Sequence, residues 1–295
     1  MLMRRRALTY FFILLSALQV TLAQRAVSAP VAQNGRRSSA QEAIFHSPSL
    51  DRDMNYLVLL PRDYNSGRRF PVLYLLHGLY GDYKNWDTRT ALEHYAKAMP
   101  FIIVMPDADN SWYTNSATVP RDKFENYIAK DLISEIDAKY RTISERRARA
   151  IAGLSMGGYG AVKLSLQHPE LFAFAASLSG ALNAAENLDQ QRPEFRAKLL
   201  EVFGDARNQA RKQNDVFLLL KTVHADPYFY LACGTEDFFL VTNRALAAQL
   251  SSQRVPYEYH ETPGGHTWEY WDSGLPAMLQ AVARHLDPVS TPARK

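Results

Sequence analysis

The pentapeptide GLSMG at residues 153–157 carries the strongest chemical signal in the sequence. It has the form G-x-S-x-G, and it stands directly after a short apolar run and directly before a helical pattern. Glycines flanking a serine permit a turn so sharp that the serine side chain projects beyond the sheet. Free N–H groups at the start of the following helix favour negative charge that develops there. We therefore predict that Ser155 is a nucleophile; a capping serine in a glycine-rich turn is the alternative interpretation.

A serine hydroxyl is a weak nucleophile, so it needs a base that a carboxylate in turn orients. In folds built around such a turn, the acid and then the histidine follow the serine along the chain. Of the eight histidines in the sequence, those after Ser155 are His168, His224, His260, His266 and His285. We predict that His266 is the base, because it stands in a loop, PGGHTW, just after the last strand-like run. His260 lies inside that run and is interpreted as structural.

The acidic partner is predicted just after an earlier strand-like run, where residues 234–237 read GTED. This position is the usual one for the third member of such a set. Asp237 is preferred to Glu236. A plain turn with helix-capping acids is the alternative, but it would leave His266 without a partner.

Two backbone N–H groups are needed to hold the oxyanion that forms when a serine attacks a carbonyl group. Met156, directly after the nucleophile, is predicted to supply one of them. The loop HGLYG at residues 77–81 follows an earlier strand-like run, and Leu79 within it is predicted to supply the other. Gly78 would allow the backbone to approach closely. His77 is interpreted as a hydrogen-bonded structural residue rather than as a second base.

The sequence predicts neither a metal nor a cofactor. It contains no HExxH, EF-hand or P-loop pattern. Cys233 is the only cysteine, which excludes an intramolecular disulfide, a cysteine-based zinc site and a CxxC redox motif. Because Cys233 stands in an apolar run, we interpret it as a small buried hydrophobic residue.

The elements that must position these residues alternate along the chain. Short apolar runs rich in aromatic and β-branched residues predict strands at 54–60, 71–76, 101–105, 148–152, 172–177, 228–233 and 257–261. Helical patterns predict helices over 122–140, directly after Ser155, over 240–253 and over 272–286. This alternation predicts an α/β fold with a mostly parallel sheet and helices on both faces.

One stretch breaks the alternation. Residues 184–226 contain helical patterns and no convincing strand pattern, so we expect a helical insertion that could cap a site. The folded domain is expected over residues 41–287. A flexible leader at 24–40 would precede it, and a tail at 288–295 would follow it.

The first residues of the chain indicate export. A basic segment at 4–6 is followed by an apolar stretch at 7–20 and by small residues at 21–23, which is the organisation of a signal peptide. Cleavage is predicted after Ala23, with Ala29 as a second possible site. An uncleaved membrane anchor is the alternative, but the apolar stretch is shorter than the roughly 20 residues that a spanning helix needs. The mature protein is expected to be secreted or periplasmic, with no stable membrane span.

Signal removal also changes the charge. It lowers the formal net charge from +4, by three arginines, to +1. A nearly neutral mature chain has no charge-based attraction to nucleic acid or to an anionic membrane, so nucleic acid is not expected as a partner. With 47% hydrophobic and 22% charged residues, the composition is typical of a folded globular domain.

Five sequence blocks together resemble the esterase D-type branch of the α/β-hydrolases. They are HGLYGDYKNW, DNSWYTN, GLSMGGYGA, GTEDFF and GGHTWEYW, in this order between about residues 55 and 285. That family includes S-formylglutathione hydrolases, feruloyl and acetyl-xylan esterases, tributyrin esterases and the trehalose mycolyltransferases. The resemblance implies the α/β-hydrolase fold, a catalytic triad of Ser155, Asp237 and His266, and oxyanion donors at Leu79 and Met156.

The resemblance also implies substrate contacts. Trp268 would pack over the site, and Trp112 and Tyr113 would line the acyl pocket; aromatic core residues are the alternative for the last two.

The expected function is that of an exported serine esterase. It would act through an acyl-enzyme on small-molecule or polysaccharide esters, with an acyl ester of carbohydrate, phenolic acid or short-chain lipid as substrate. Acyl transfer to a sugar hydroxyl would use the same residues and stays open. Because S-formylglutathione hydrolases are cytosolic, export disfavours their thioesterase activity. A non-catalytic binding protein on the same scaffold is disfavoured because all three candidate triad residues are present.

Overall fold

An eight-stranded sheet runs through the described part of this computed structural model, which comprises residues 39–186, 188, 193–222 and 227–286. The strands are β1 (Gln41–Ser47), β2 (Arg52–Leu59), β3 (Val72–Leu76), β4 (Ile102–Pro106), β5 (Arg149–Leu154), β6 (Phe174–Leu178), β7 (Tyr228–Gly234) and β8 (Tyr257–Thr262). Their order is β1-β2-β4-β3-β5-β6-β7-β8. Strand β2 is antiparallel to both neighbours, and every other neighbouring pair is parallel.

Helices connect most of these strands. They are α1 (Asn85–Arg89), α2 (Leu92–Ala96), α3 (124–139), α4 (Met156–Gln167), α5 (Pro193–Phe203), α6 (Gln209–Gln213), α7 (Val216–Leu220), α8 (Leu240–Gln253) and α9 (Trp268–His285). Within the described ranges, no helix combines the length and the apolar content needed to cross a bilayer. The expected signal peptide at 1–23, all of the leader except residues 39 and 40, and the tail at 288–295 lie outside those ranges.

Both faces of the sheet are buried. In β3, Val72, Tyr74 and Leu76 belong to one hydrophobic core, whereas Leu73 and Leu75 belong to the other. Helices α3, α4 and α8 pack on the first core, and α1, α2 and α9 pack on the second. A mostly parallel sheet that helices cover on both faces confirms the predicted α/β class.

The structure contains a strand that the sequence does not predict, and one helix begins earlier than predicted. The sequence predicts no strand before residue 54, but β1 pairs with β2 at the edge of the sheet. Its residues, QEAIFHS, are mostly exposed or half-buried and form no apolar run, because an edge strand buries little surface. Helix α9 begins at Trp268 instead of residue 272, since the hydroxyl of Thr267 accepts a hydrogen bond from the Tyr270 N–H and caps the helix.

Helix α3 contains a π-helical turn at Tyr127–Leu132, between α-helical segments at Phe124–Asn126 and Ile133–Lys139. The apolar residues of this helix recur every fourth position, and a step of four overshoots a full α-helical turn by about 40°. A wider π turn corrects that drift. Phe124, Ile128, Leu132 and Ile136 are consequently all buried in the same core.

The expected insertion contains helices α5, α6 and α7 and no strand in its described residues. Side chains cap two of these short helices: Asn208 accepts the N–H of Ala210 at the start of α6, and Asp215 accepts the N–H groups of Phe217 and Leu218 at the start of α7. Such caps satisfy backbone donors that a helix start leaves unpaired.

A fully buried lysine connects the helix after Ser155 to its surroundings. The Lys163 side chain is 0% exposed, and its ammonium group lies 2.7 Å from a carboxylate oxygen of Glu125 in α3. It also donates to the carbonyl of Tyr113 (2.8 Å) and the hydroxyl of Thr114 (3.2 Å). A longer contact of 3.4 Å reaches the side-chain oxygen of Asn214, between α6 and α7. This one group therefore holds α3, α4, a loop and the insertion together.

The charge of Glu125 depends on this pair. Burial by itself would raise the pKa of Glu125, but the charge of Lys163 and the hydrogen bonds from His168 and Lys163 outweigh it and lower that pKa to about 2. Glu125 is therefore ionised in the folded protein at any pH well above 2, and it compensates the buried ammonium group.

We expect Glu125→Gln to destabilise the protein, because it leaves the buried ammonium group without a counter-charge. The expected loss is about 3 kcal/mol in the free energy of unfolding at pH 7, measured by chemical denaturation. Since folding lowers the pKa of Glu125 from its ordinary value of 4.5 to about 2, the stabilisation is present above pH 4.5 and is lost as the pH falls toward 2. The difference between wild type and variant should therefore narrow over that range.

Glu201→Gln is the matched control. Glu201 pairs with Lys198 across one helical turn, with both side chains 38% exposed, so its replacement should change the stability by less than about 1 kcal/mol. Equal effects of the two substitutions would contradict a structural role for the buried pair.

Candidate active site

Ser155 occupies the sharp turn between β5 and α4. Its backbone angles, φ 51° and ψ −115°, are costly for a residue other than glycine, of order 1–3 kcal/mol. Three backbone hydrogen bonds hold the turn. The Ser155 N–H donates to the carbonyl of Leu178 (3.0 Å), and the Ser155 carbonyl accepts from the N–H groups of Tyr159 (3.0 Å) and Ala181 (3.1 Å). These hydrogen bonds therefore stabilise the strained backbone of Ser155. The resulting turn places the serine side chain at the edge of a cavity.

A chain of hydrogen bonds joins the three residues that the sequence proposes for catalysis. The hydroxyl oxygen of Ser155 lies 3.0 Å from Nε2 of His266, and Nδ1 of His266 lies 2.9 Å from Oδ2 of Asp237. Because a carboxylate only accepts, Nδ1 of the neutral imidazole must carry the proton and Nε2 is left to accept from the serine. The imidazole is thus in the tautomer that a general base for Ser155 requires.

Asp237 is held as a buried carboxylate. Its side chain is 0% exposed. Burial by itself would raise the pKa of Asp237, but hydrogen bonds from His266 and from the backbone N–H of Phe239 (2.8 Å) outweigh that effect and lower the pKa. Asp237 is therefore negatively charged at neutral pH and can stabilise an imidazolium at His266.

Close contact between two loops brings the acid and the histidine together. A side chain on Gly234, the last residue of β7, would place its Cβ only 2.0 Å from the carbonyl oxygen of Gly264, so this approach requires glycine. The N–H of Glu236 donates to the same carbonyl at 3.0 Å, and the N–H of Thr235 donates to the carbonyl of Thr262 at 3.0 Å. The turn after β7 and the loop after β8 are thus held as neighbours.

The predicted oxyanion donors lie beside Ser155. Leu79 lines the same cavity as Ser155, and neither its N–H nor that of Met156 donates to another residue in the described part of the chain. Gly157 brings their two loops together, because a Cβ on it would lie 2.5 Å from the carbonyl oxygen of Leu76 and 2.6 Å from that of His77. The turn at Ser155 therefore packs directly on the chain that leads to Leu79.

His77 stabilises the segment that leads to Leu79 through hydrogen bonds at both ring nitrogens. Its Nδ1 lies 2.8 Å from the carbonyl of Gly78, and its Nε2 accepts the N–H of Ala108 at 3.0 Å. Burial lowers the pKa of His77, despite opposing hydrogen-bond and charge effects, so the ring is neutral and matches this donor and acceptor arrangement. The interpretation of His77 as a structural residue agrees with these contacts.

A cavity of about 790 Å³ opens at Ser155. This volume lies within the range common for small-molecule sites. One part of its wall is apolar and consists of Trp112, Ala181, Ala184, Phe195 and Leu199, of which the last two belong to α5 in the insertion. The insertion therefore contributes to the wall of the cavity, as a capping segment would.

The three aromatic residues that are predicted to contact the substrate do not all lie at the cavity. Trp112 and Trp268 line the cavity, but Tyr113 does not. Tyr113 is fully buried, its hydroxyl donates to the carbonyl of His77 (2.8 Å), and its ring lies against Gly160. The prediction for Tyr113 is thus wrong, because consecutive left-handed conformations at Trp112 (φ 56°) and Tyr113 (φ 54°) send their side chains to different places.

Aromatic rings surround His266. The Trp271 ring meets the imidazole edge-on with centroids 4.8 Å apart, and the Phe238 ring is tilted over it at 4.5 Å. Trp268 packs edge-on against Trp271 and Trp86. These contacts fix the orientation of the imidazole, whose side chain is 17% exposed.

Sequence reasoning missed several cavity residues, among them Arg89, Phe195 and Phe238. Phe238 could have been found, because it directly follows Asp237. Phe195 and Leu199 are spaced for one helical face, but the sequence does not show which face meets the cavity. Arg89 had no local signal, since an arginine at the end of a short helix is usually solvated.

This geometry is suited to acyl transfer by a serine nucleophile. It combines a base aligned on the hydroxyl, a buried carboxylate behind that base, and free backbone donors beside the serine. Within the described residues, no group of three or more His, Cys, Asp or Glu side chains is placed to hold a metal ion.

Comparison with known proteins shows the family of the chain. Residues 47–282 match the model of the family described as "Putative esterase". The chain is similar to "Esterase Rv1288" of Mycobacterium tuberculosis, with 34% identity over 238 residues. The match covers 72% of this chain but 52% of that relative, so the chain spans about half the length of the curated relatives that match it at this identity.

Two further similarities extend over nearly whole proteins. An acetyl esterase of Caldicellulosiruptor saccharolyticus is 26% identical over 269 residues, which cover 82% of this chain and 97% of that protein. Among solved structures, the fluorophosphonate-binding serine hydrolase FphF of Staphylococcus aureus has a TM-score of 0.76 and 27% identity. That alignment covers 83% of this chain and 98% of FphF. Together with the sheet order, this similarity confirms the α/β-hydrolase fold.

We expect Gly157→Ala to misplace the nucleophile. The added methyl group would collide with the backbone of Leu76 and His77, neither of which can rotate away, so the turn at Ser155 must shift. A shift of about 1 Å at a reacting group can cost a factor of about 100. The rate at which a fluorophosphonate probe labels Ser155 should fall by about that factor, and the melting temperature should fall as well.

Gly274→Ala in α9 is the matched control. A Cβ at Gly274 meets no atom within 4 Å, so the change should leave labelling unaltered and raise stability by about 1 kcal/mol through helix propensity. Normal labelling of Gly157→Ala would show that the close packing at this turn is dispensable.

Proposed function

The chain belongs to the putative esterase family, and we propose that it is a serine carboxylic-ester hydrolase that works through an acyl-enzyme. The observation that carries the proposal is the unbroken hydrogen-bond chain from Ser155 through His266 to Asp237, with its serine facing a cavity of about 790 Å³. A structural serine needs no aligned base and no buried carboxylate behind it, whereas a nucleophile needs both.

The proposed reaction begins when the Ser155 oxygen attacks the ester carbonyl and Nε2 of His266 takes the hydroxyl proton. Asp237 stabilises the resulting imidazolium, and the N–H groups of Leu79 and Met156 bind the oxyanion. The imidazolium then donates its proton to the departing alcohol oxygen, which leaves an acyl group on Ser155.

Release of the acyl group repeats these roles with water as the nucleophile. His266 takes a proton from the water molecule as it attacks the acyl-enzyme, and the same N–H groups hold the second oxyanion. Collapse of this intermediate returns the proton to the Ser155 oxygen and releases a carboxylic acid.

We propose acyl esters of carbohydrate, phenolic acid or short-chain lipid as the substrate class. The apolar wall formed by Trp112, Phe195 and Leu199 suits an acyl or aryl group, while Asn85 and Asn183, which also line the cavity, offer hydrogen-bonding groups. A pocket with one apolar part and a few polar groups typically binds a small molecule in one orientation.

Acyl transfer to a sugar hydroxyl is the second candidate. The acyl-enzyme on Ser155 is common to both reactions, and the cavity that holds the departing alcohol can hold an acceptor alcohol in its place. Analysis of the products with and without added sugar separates the two. A sugar ester that forms at the expense of free acid would establish transfer.

We expect Ser155→Ala to abolish hydrolysis of p-nitrophenyl acetate, lowering kcat by about 10⁵–10⁶-fold, because the remaining groups cannot form an acyl-enzyme. Fluorophosphonate labelling should disappear at the same time, while the melting temperature should stay near that of wild type. Ser251→Ala, at an exposed position in α8, is the control and should keep full activity. Hydrolysis by Ser155→Ala at the wild-type rate would refute the proposal.

We also propose that the enzyme is exported, on the evidence of the basic and apolar segments in residues 1–23. The protein produced with its own N-terminus in a bacterial host should appear in the periplasm or medium and begin at Gln24 or Pro30. Retention in the cytoplasm with an intact N-terminus would contradict export without touching the proposed chemistry.

A further inference from the structure

We propose that Arg89 selects esters whose alcohol part carries a negative charge, in the form of a carboxylate or a phosphate group. This inference rests on the proposed function, and it names the substrate class more narrowly. It concerns the alcohol and not the acyl group. Three observations carry it: the charge of the cavity wall, the absence of a partner for Arg89 in the described part of the chain, and the side of the cavity on which Arg89 lies.

The cavity wall is electrostatically one-sided. Among the described residues that line it, Arg89 is the only ionisable basic side chain apart from His266, and none is an aspartate or a glutamate. A positive charge in a concave site attracts anions and raises their local concentration. Among the described lining residues, an anionic substrate would therefore meet a permanent positive charge and no carboxylate that repels it.

The Arg89 side chain makes no hydrogen bond, ion pair or ring contact with any residue in the described ranges. Carboxylates in the neighbouring segments have other partners: Asp82 accepts from the Lys84 N–H (2.8 Å) and Asn85 (2.9 Å), and Asp272 accepts the N–H of Ala91 (2.7 Å). The guanidinium donors of Arg89 are thus available to a ligand.

The position of Arg89 follows from helix α1. Asn85 and Arg89 are four residues apart, so they share one helix face, and both line the cavity. Trp86, next to Asn85 in the same helix, is buried and packs against Trp268 with ring centroids 5.6 Å apart. Trp268 follows His266 closely in the chain. Helix α1 therefore adjoins the histidine loop.

The apolar wall belongs to a different group of elements. Trp112 packs against Phe195 of α5 with ring centroids 6.0 Å apart, and against Phe203 of the same helix at 6.1 Å. The cavity thus has an apolar part beside α5, whereas the part beside α1 and the histidine loop combines the polar side chains of Asn85 and Arg89 with aromatic rings such as Trp268.

The reaction places the alcohol in the part of the cavity beside α1 and the histidine loop. His266 must deliver a proton to the departing alcohol oxygen, so the alcohol has to lie on the histidine side of Ser155. The acyl group then extends toward the apolar wall. Arg89 consequently meets the alcohol part of the substrate.

Arginine suits carboxylate and phosphate groups because its planar guanidinium can donate two parallel hydrogen bonds to them. Since Arg89 is exposed at the cavity mouth, water and salt screen part of this attraction. We therefore expect a selectivity of about tenfold, and not the thousandfold effect of a fully buried pair.

Matched substrate pairs test the inference. The carboxylate arm compares the acetyl ester of a hexuronic acid with that of its methyl ester, and the phosphate arm compares acetylated glycerol 3-phosphate with acetylated glycerol. In at least one arm, wild-type kcat/KM should be about tenfold higher for the anionic member, and 0.5 M NaCl should reduce the ratio. The arm with the larger ratio identifies the anion. Because both members of a pair release acetate, binding of the acid product cannot produce the difference.

Variants assign the effect to Arg89. Arg89→Gln should bring the ratio close to one by lowering only the anionic value, and Arg89→Lys should retain most of the preference. Arg121→Gln removes the same charge from a side chain that is 88% exposed and does not line the cavity, so it should leave the ratio unchanged.

Several results would overturn the inference. A wild-type ratio near one in both arms, a ratio that survives Arg89→Gln, or an equal loss on both members of each pair would each do so. Hydrolysis of p-nitrophenyl acetate by the wild type checks the proposed function separately. If it proceeds while the anionic preference is absent, only the role of Arg89 fails; if neither this ester nor any test ester is hydrolysed, the proposed function fails as well.

Discussion

The backbone strain at Ser155 is the constraint on which the site depends. A residue with a side chain would not adopt φ 51° and ψ −115° unless its surroundings imposed these angles. The hydrogen bonds to Leu178, Tyr159 and Ala181 impose them, and the packing of Gly157 on the end of β3 leaves the turn no room to relax. The same geometry sets the serine hydroxyl within reach of His266 and leaves the Met156 N–H without an acceptor among the described residues. One tight turn therefore positions both the proposed nucleophile and part of the proposed oxyanion hole.

The parallel sheet accounts for the meeting of three distant segments. Ser155 follows β5, Asp237 follows β7 and His266 follows β8, and the carboxyl ends of parallel strands lie at one edge of the sheet. Since β6 separates β5 from β7, His266 must reach across that distance to Ser155, and the contact between Gly234 and Gly264 holds the segments after β7 and β8 together. The alignment of hydroxyl, imidazole and carboxylate is thus a property of strand order combined with loop packing.

Buried hydrogen bonds that begin at Lys163 stabilise the segments around the cavity. The buried ammonium group of Lys163 holds the carbonyl of Tyr113, and the Tyr113 hydroxyl holds the carbonyl of His77 in the loop that leads to Leu79. Trp112, next to Tyr113, forms part of the apolar wall. A buried ion pair contributes little net stability by itself, but removal of one partner is costly, so such a pair favours one arrangement over others. In this protein that arrangement joins helix α4, the loop that contains Trp112 and Tyr113, and the insertion.

Local patterns in the sequence determined the α/β class and the candidate residues Ser155, Asp237 and His266, because each of the three lies in a turn or loop shortly after a strand-like run, and such turns have a recognisable composition. Tertiary structure alone decided that Tyr113 is a core residue, that β1 completes the edge of the sheet, and that Arg89 faces the cavity. A strand end or a turn is encoded by adjacent residues. The partner that a side chain meets is set by elements far away in the chain, and a single sequence carries no local record of them.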